Sequence, residues 1–347
     1  MTGRTLALLS ACAALLVMVP GAAAAPQSRP NGPWLEDSQH MSLSRLHSNA
    51  ELAAALQRIA NRSKGRMTVE VAGRTNEGRP LWLAKVGTGE TAVLYITQQH
   101  GNEPLGTEAA LQLLQRLATS NHPDIRRMRE ELTILVVPRV NPDGHERFWR
   151  QNFDPVLEPG DPTDFWTVGR GYDINRWHLP TLAPKDNPVP EAATVQRVYQ
   201  RYQPAIVVDF HHQGSYVNAD GELIRTSMFW PRPEGGAGQD AINRSKQVTW
   251  LMYDALEHYG FAEVSQYPGG PQPGIARNAY GALGSASVLV ELRGDIGQKS
   301  SGYLIRTAYV AMFSLLEAAA EGTLSSIDPA QADEIPLRGP AIDDPHE

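Results

Sequence analysis

Apolar residues recur along this chain in two rhythms. Short, largely apolar runs at 91–97, 132–137, 205–210 and 287–292 have the length and composition of strands covered on both faces. Between them, apolar positions recur three and four residues apart. They do so over 44–60 (Leu46, Leu52, Leu56, Ile59), 105–118 (Leu105, Ala109, Leu113, Leu117), 195–202, 241–259 and 304–320, and this spacing predicts helices. Two alternating segments, 67–72 and 81–86, are joined through 73–80 and predict a hairpin. Strands alternating with helices predict an α/β fold, with a mixed, largely buried central β-sheet flanked by helices on both faces. Residues 153–190 are rich in Pro, Gly and Asp and predict a long surface excursion. Residues 326–347, Pro- and Asp-rich without periodicity, predict a flexible C-terminal tail.

The N-terminus breaks this pattern. One positive charge, Arg4, precedes an almost wholly apolar stretch over 5–19; Pro20-Gly21 ends it, and Ala22-Ala23-Ala24 offers a small-x-small cleavage site. This is the signature of a secretory signal peptide over 1–24, because cleavage after Ala25 would leave Pro26 at the new N-terminus. A membrane anchor is the alternative, but the run is short of the roughly 20 residues a span needs. A lipoprotein signal at Leu9-Ser10-Ala11-Cys12 would leave too short an apolar stretch after Arg4. The expectation is an exported protein, secreted or periplasmic, with no membrane span in the mature chain. A polar linker over 25–43 would lead into one main domain over 44–325. Cys12 is the only cysteine, so the mature chain would carry neither a disulfide nor a thiol nucleophile.

Composition adds limits. With 41% hydrophobic and 20% charged residues, the 347-residue chain can bury a large core. A formal net charge of −7, one more negative once Arg4 is lost, counts against nucleic acid or an anionic membrane surface as partner.

Ligands in open α/β sheets gather at the carboxyl ends of the strands. Four predicted strands end in unusual polar groups. These are His100-Gly-Asn-Glu103; Asn141-Pro-Asp-Gly144 followed by Phe148-Trp-Arg150; Asp209-Phe-His211-His212; and Glu291-Leu-Arg293. Buried strands running into charge are costly unless the charge is paired or metal-bound. A metal held by His100, Glu103 and His211 accounts for three of these groups and leaves Glu291 as a free carboxylate beside it. Nitrogen and carboxylate donors suit zinc. Asn141 and Asp143 are expected to shape a turn.

The order of motifs is specific. H-x-x-E, N-P-D-G with a following W-R, D-x-N-R, a strand-borne His and E-L-R resemble the zinc metallocarboxypeptidases of the carboxypeptidase A superfamily, of a bacterial, secreted type without an inhibitory pro-domain. The resemblance runs from 44 to about 321 and includes the 73–80 segment, Gly-Arg-Thr-Asn-Glu-Gly-Arg-Pro. It implies one Zn2+ ion held by His100, Glu103 and His211, with Asp173 accepting a hydrogen bond from the first ligand and fixing its tautomer. It implies hydrolysis of the C-terminal peptide bond of peptides by a monomeric enzyme. Glu291 would be the general base on the water that zinc activates, and Arg150 would stabilise the developing oxyanion. Asn175 and Arg176 would clamp the substrate's terminal carboxylate, and Tyr267 would contact substrate.

This sequence departs from the family pattern in places. Trp177 stands where an Asn is usual. His212 follows His211 directly; adjacent strand residues face opposite sides, so both cannot ligate from a regular strand, and the spacing after Asp209 favours His211. Tyr280 is the other candidate for the tyrosine. Ala276 and Arg277 fall near the position that sets side-chain preference in relatives. An arginine there would favour an acidic terminal residue; if Arg277 instead points to solvent, no such preference follows. The remaining histidines (His40, His47, His122, His145, His178, His258, His346) are expected mostly at the surface, with His145 and His178 nearest the site. Two competing readings are a zinc amidase or deacylase acting on murein peptides or small N-acyl amino acids, and an inactive binding protein on the same fold. The latter would be expected to lack the base or a ligand.

Overall fold

The computed structural model describes residues 46–342, apart from 165–166, 262 and 295–297, and of 298–301 the backbone only. The expected signal peptide and linker lie outside the described residues.

The first helix, α1 (Asn49–Arg62), starts later than its apolar spacing suggests. Ser48 accepts from the Glu51 amide and Glu51 answers to the Ser48 amide, a capping box that sets the start; Leu46 lies ahead of it, exposed. The elements then follow in order: β1 (Met67–Arg74), β2 (Pro80–Val86), β3 (Thr91–Thr97), α2 (Leu105–Thr119), α3 (Pro123–Glu131), β4 (Leu132–Val137), α4 (Pro142–Arg147), α5 (Pro190–Tyr202) and β5 (Ile206–Gln213). After these come β6 (Tyr216–Val217), β7 (Leu223–Ile224), β8 (Thr226–Phe229), α6 (Gln239–His258), β9 (Val264–Gln266), α7 (Ala276–Ala282), β10 (Ala286–Arg293) and α8 (Gln298–Glu321). The α3 helix escapes the sequence pattern because only Ile125 and Met128 of its nine residues are buried.

Eight strands form one mixed sheet in the order β1-β2-β4-β3-β5-β10-β8-β9. Its centre, β4-β3-β5-β10, is parallel, and β2 and β8 join it antiparallel on either side. Alternate residues feed two cores. Val93, Tyr95, Val208, Phe210 and Val290 pack under α1, α2, α6 and α8; Leu94, Ile96, Leu135 and Val207 pack under α5 and α7. The largely apolar runs thus mark strands covered on both faces, as predicted. An apolar stretch of α8, 302–321, is long enough to span a bilayer, but 72% of its most apolar window is buried inside the protein, so it is a core helix here.

The chain runs from β3 through two helices to β4 on one side, then returns to place β5 on the other. His100 leaves β3 and His211 sits in β5, at this reversal of strand order. Among the described residues of the excursion, regular structure before α5 is limited to a Phe153–Arg170 bridge and two 3₁₀ turns; one of these turns, Ile174–Arg176, reaches back over the sheet with Ile174 and Asn175 buried.

The expected loose tail is not loose over its described part. A 3₁₀ stretch, Pro329–Glu334, buries Ala332; Ile335 joins a small core with Phe229 and Trp230. Beyond it, the Gln266 amide donates to Pro336 O (2.7 Å), the Val217 amide to Pro340 O (3.2 Å) and the Ile342 amide to Ser215 O (3.0 Å). Polar composition hid these backbone bonds, which need no apolar periodicity.

Candidate metal centre

The turn that leaves β3 is tight. Gln98 adopts φ 55°, and its side-chain Nε2 donates to Gly101 O (2.8 Å). Gly101 packs backbone to backbone against Gly144 and His145, where a Cβ would lie 2.1 Å from the Gly144 carbonyl carbon. Only glycine fits between this histidine and this glutamate. The N-P-D-G segment opposite is the short helix α4. Asn141 accepts from the Gly144 amide (2.8 Å) and donates to the carbonyls of Arg150 (3.2 Å) and Gln151 (3.0 Å), so it holds the bend that bears Arg150. Asp143, buried, accepts from Thr75 (2.9 Å) and Arg79 (2.7 Å) and ties the β1–β2 hairpin to the site. Both residues therefore do more than shape a turn.

His100 Nδ1 lies 2.8 Å from Glu103 Oε1, His211 Nδ1 lies 2.9 Å from Glu103 Oε2, and the two Nδ1 atoms are 3.1 Å apart. All three residues are buried, and their donor atoms fall within 4.8 Å of one another. The outer ring nitrogens are also occupied. His100 Nε2 is 3.0 Å from Asp173 Oδ1, and His211 Nε2 is 2.8 Å from Asp209 Oδ2. Asp173 and Asp209 can only accept, so with a metal bound each Nε2 would keep its hydrogen and each Nδ1 would turn a lone pair inward. Two imidazole lone pairs and a carboxylate converging on one buried point form a donor set that fits a zinc ion. Burial opposes the charge on Glu103, but His100 and His211 hold its carboxyl well below the usual range. Burial likewise opposes His211, yet Asp209 and Glu103 hold its imidazole well above the ordinary value, so metal uptake must displace a proton.

Glu291 pairs in register with His211 across the parallel β5–β10 ladder, so both side chains leave the sheet on one face. It is 7% exposed, and among the described residues its Oε2 has no hydrogen-bond partner. Burial pushes its carboxyl up to about 8, against the pull of His211 and Arg150. Arg150, buried, donates to Asp173 Oδ2 (3.0 Å) and more distantly to Glu103 Oε1 (3.5 Å).

A model of the zinc carboxypeptidase family matches residues 52–295, a range that holds this whole constellation. The chain belongs to the zinc carboxypeptidase family. It is 27% identical over 221 residues to carboxypeptidase D of Anas platyrhynchos, covering 58% of this chain and 15% of that one. It is 31% identical over 146 residues to the carboxypeptidase N catalytic chain of Homo sapiens, covering 38% and 30%. The chain thus spans under a third of the length of either relative. Two solved structures share the fold. One is the metallo-carboxypeptidase from Burkholderia cenocepacia (TM-score 0.58, 19% identity, 79% of this chain and 69% of that one). The other is carboxypeptidase A from Helicoverpa armigera (TM-score 0.60, 18% identity, 82% and 75%).

The structure of this zinc carboxypeptidase family member also separates several sequence alternatives. His212 faces away from the His100–Glu103–His211 cluster, and its ring accepts the Leu105 amide (3.2 Å) at the start of α2. Tyr280 is wholly buried, stacked on Tyr199 and bonded to His178 Nδ1 (2.9 Å). Tyr267, half-buried, feels the Glu291 carboxylate, which pushes its phenol up. Asn175 Nδ2 approaches His211 Nε2 (3.1 Å), while its Oδ1 accepts the Ala276 amide (2.8 Å). Arg176 beside it is exposed. Trp177 packs edge-on against Tyr172, away from the ligands. Arg277 does not point to solvent: it is 1% exposed, donates to Gly270 O (2.7 Å), and leaves Nε and NH1 without partners among the described residues.

Sequence reasoning missed a buried relay behind His211. Gln99 donates to Asp209 Oδ2 (2.6 Å) and faces His178 Nε2 (2.5 Å) through its Oε1. His178 is buried, not a surface group, and burial holds its imidazole down at about 4. His145 is half-buried against Gln98. Asp209 alone had a signal: it lies two residues before His211, hence on the same strand face.

Proposed function

We propose that this chain is a zinc metallocarboxypeptidase that hydrolyses the C-terminal peptide bond of peptides. The observation that carries the reading is the Glu291 carboxylate, its Oε2 without a partner among the described residues, set in register beside a buried His-Glu-His donor cluster in a zinc carboxypeptidase family member. Bound by His100, Glu103 and His211, one zinc ion would supply Lewis-acid polarisation and lower the pKa of water.

The chain's own residues supply the rest. Asp173 and Asp209 hold the two imidazoles in the tautomer that presents Nδ1. Arg176, exposed beside the buried Asn175, receives the substrate's terminal carboxylate through parallel N–H donors. Arg150 stabilises charge as it develops on the scissile carbonyl oxygen. Glu291 takes a proton from the attacking water and delivers it to the leaving amine, and its raised pKa suits that exchange near neutral pH. Tyr267 stands beside Glu291 to contact the bound peptide. Arg277, buried with two unused N–H groups, supports preference for a terminal Asp or Glu. The N-terminal pattern supports action after export.

The amidase and deacylase alternative has no support in the family match or the relatives. The test is steady-state hydrolysis, with and without zinc, of peptides ending in Glu, Phe and Lys. Zinc-dependent release of single C-terminal residues, fastest for Glu, is the expected result. Faster release of Phe would remove the role given to Arg277, and no release from any peptide would remove the peptidase reading.

A further inference from the structure

The C-terminal segment does more than cover the sheet edge. Its backbone is bonded on one side to Gln266 (the Arg338 amide to Gln266 O, 3.3 Å) and on the other to Val217 (the Gly339 amide to Val217 O, 3.0 Å). Between these anchors, Arg338 slots its guanidinium against two rings: its central carbon is 3.6 Å from the centroid of Tyr216 and 4.7 Å from that of Tyr267. NH1 donates to Gln213 Oε1 (2.9 Å), two residues beyond His211. That bond turns the Gln213 amide so that its Nε2, buried, is left without an acceptor among the described residues.

The charge balance here is lopsided. Arg338 makes no ion pair among the described residues, and neither do the two other arginines around the tyrosine loop. Arg232 donates only to the carbonyls of Gly269 (3.1 Å) and Pro268 (3.3 Å), and Arg277 only to that of Gly270 (2.7 Å). A chain of net charge −7 has acidic side chains to spare, yet three guanidinium groups without an ion pair among the described residues surround the Tyr267 loop. Arg150 and Arg176, by contrast, both face Asp173. Uncompensated positive charge beside a cleft attracts an anionic ligand.

Position separates the roles. Asn175 and Ala276 lie on the α7 side of His211, where the terminal carboxylate and Arg277 belong. Arg338 instead contacts Tyr216, Tyr267 and Gln213, where its segment is bonded to β9 and β6. A peptide held by its carboxyl end and crossing the metal centre would leave past Tyr267 toward Arg338.

We propose that Arg338, fixed by Tyr216, Tyr267 and Gln213, forms a subsite for a side-chain carboxylate on the substrate residue that precedes the scissile bond. The ring sandwich holds the guanidinium in place before substrate arrives, so little rotamer freedom is lost on binding. A planar guanidinium with NH1 engaged still has Nε–H and NH2 groups for a carboxylate.

This inference rests on the peptidase reading, and two measurements keep them apart. Paired peptides differ only by Glu or Gln before the scissile bond. The zinc-loaded protein is expected to favour the Glu peptide in kcat/KM by about tenfold, the scale of one charge-assisted bond. Arg338→Gln is expected to bring that ratio near unity, and Arg338→Lys to retain part of it. Calorimetry of both peptides with zinc-loaded Glu291→Gln reads the same preference as a ratio of affinities without turnover. If the wild-type protein hydrolyses neither peptide but Glu291→Gln binds the Glu peptide more tightly, the peptidase reading falls and the subsite stands. Equal affinities, or a Glu preference that survives in Arg338→Gln, would overturn the subsite.

Discussion

Glu291 and His211 are direct register partners on neighbouring parallel strands, and their side chains leave the sheet side by side. Among the described residues the Glu291 Oε2 is left without a hydrogen-bond partner, while His211 has close partners at both ring nitrogens. Replacing Glu291 with Gln should therefore keep the metal donor set and lower kcat by about 10²–10⁴-fold, the usual weight of a general base. Zinc content and kcat measured on one preparation check this. Activity like the wild type's would remove Glu291 from the role of base.

The neighbouring histidines should behave differently. His211→Ala removes a donor from the buried cluster and is expected to abolish stoichiometric zinc binding. His212→Ala removes only the acceptor at the start of α2, so it should retain zinc and lose about 1 kcal/mol of stability, as for loss of a helix cap. Zinc titration and thermal unfolding separate the two. Loss of zinc from the His212 variant alone would reverse the assignment.

Asp209 supports His211 from behind, as Asp173 supports His100. Asp209→Asn is expected to weaken zinc binding by about 10–100-fold with little change in fold. Competition with a chelator provides the measurement; unchanged affinity would make Asp209 a packing residue.

Glu191, in the first turn of α5, is wholly buried, with one oxygen bonded to Asn152 Nδ2 (2.8 Å) and the other unpartnered among the described residues. Burial pushes its carboxyl up to about 8. The folded state therefore holds a proton that the unfolded chain releases near 4.5, and stability falls as pH rises from about 4.5 to about 8. Glu191→Gln should unfold at the same temperature as wild type near pH 4.5. At pH 8 it should be the more stable, by on the order of 3 kcal/mol. Parallel unfolding curves with no gap opening at high pH would argue that Glu191 is hydrated.

Acid should act through the buried imidazoles. Burial holds His145 and His178 each at about 4, below the ordinary 6.5. A lowered folded-state value makes their contribution complete above about 6.5 and lost as pH falls toward 4. His145→Gln is expected to flatten that part of the stability profile, measured by denaturant unfolding at pH 7, 5.5 and 4.5. An unchanged slope would count against the buried neutral ring.

The sequence by itself determined the sheet and the chemistry attached to its strand ends. Runs such as 92–96 and 206–208 are apolar at every position because both faces are covered, and that signal is local. The spacing within His100-Gly-Asn-Glu103 is local too, and so is the shared face of Asp209 and His211. Tertiary structure decided what depends on residues far apart in the chain. It set His211 rather than His212 toward Glu103, turned Arg277 inward, and buried His178 against Gln99 and Tyr280. It also drew an aperiodic polar segment, expected as a tail, across β9 and β6 so that Arg338 meets Tyr216 and Tyr267. Backbone hydrogen bonds and cation–π contacts of this kind leave no periodic trace, because any residue's amide can make the first and a single arginine makes the second.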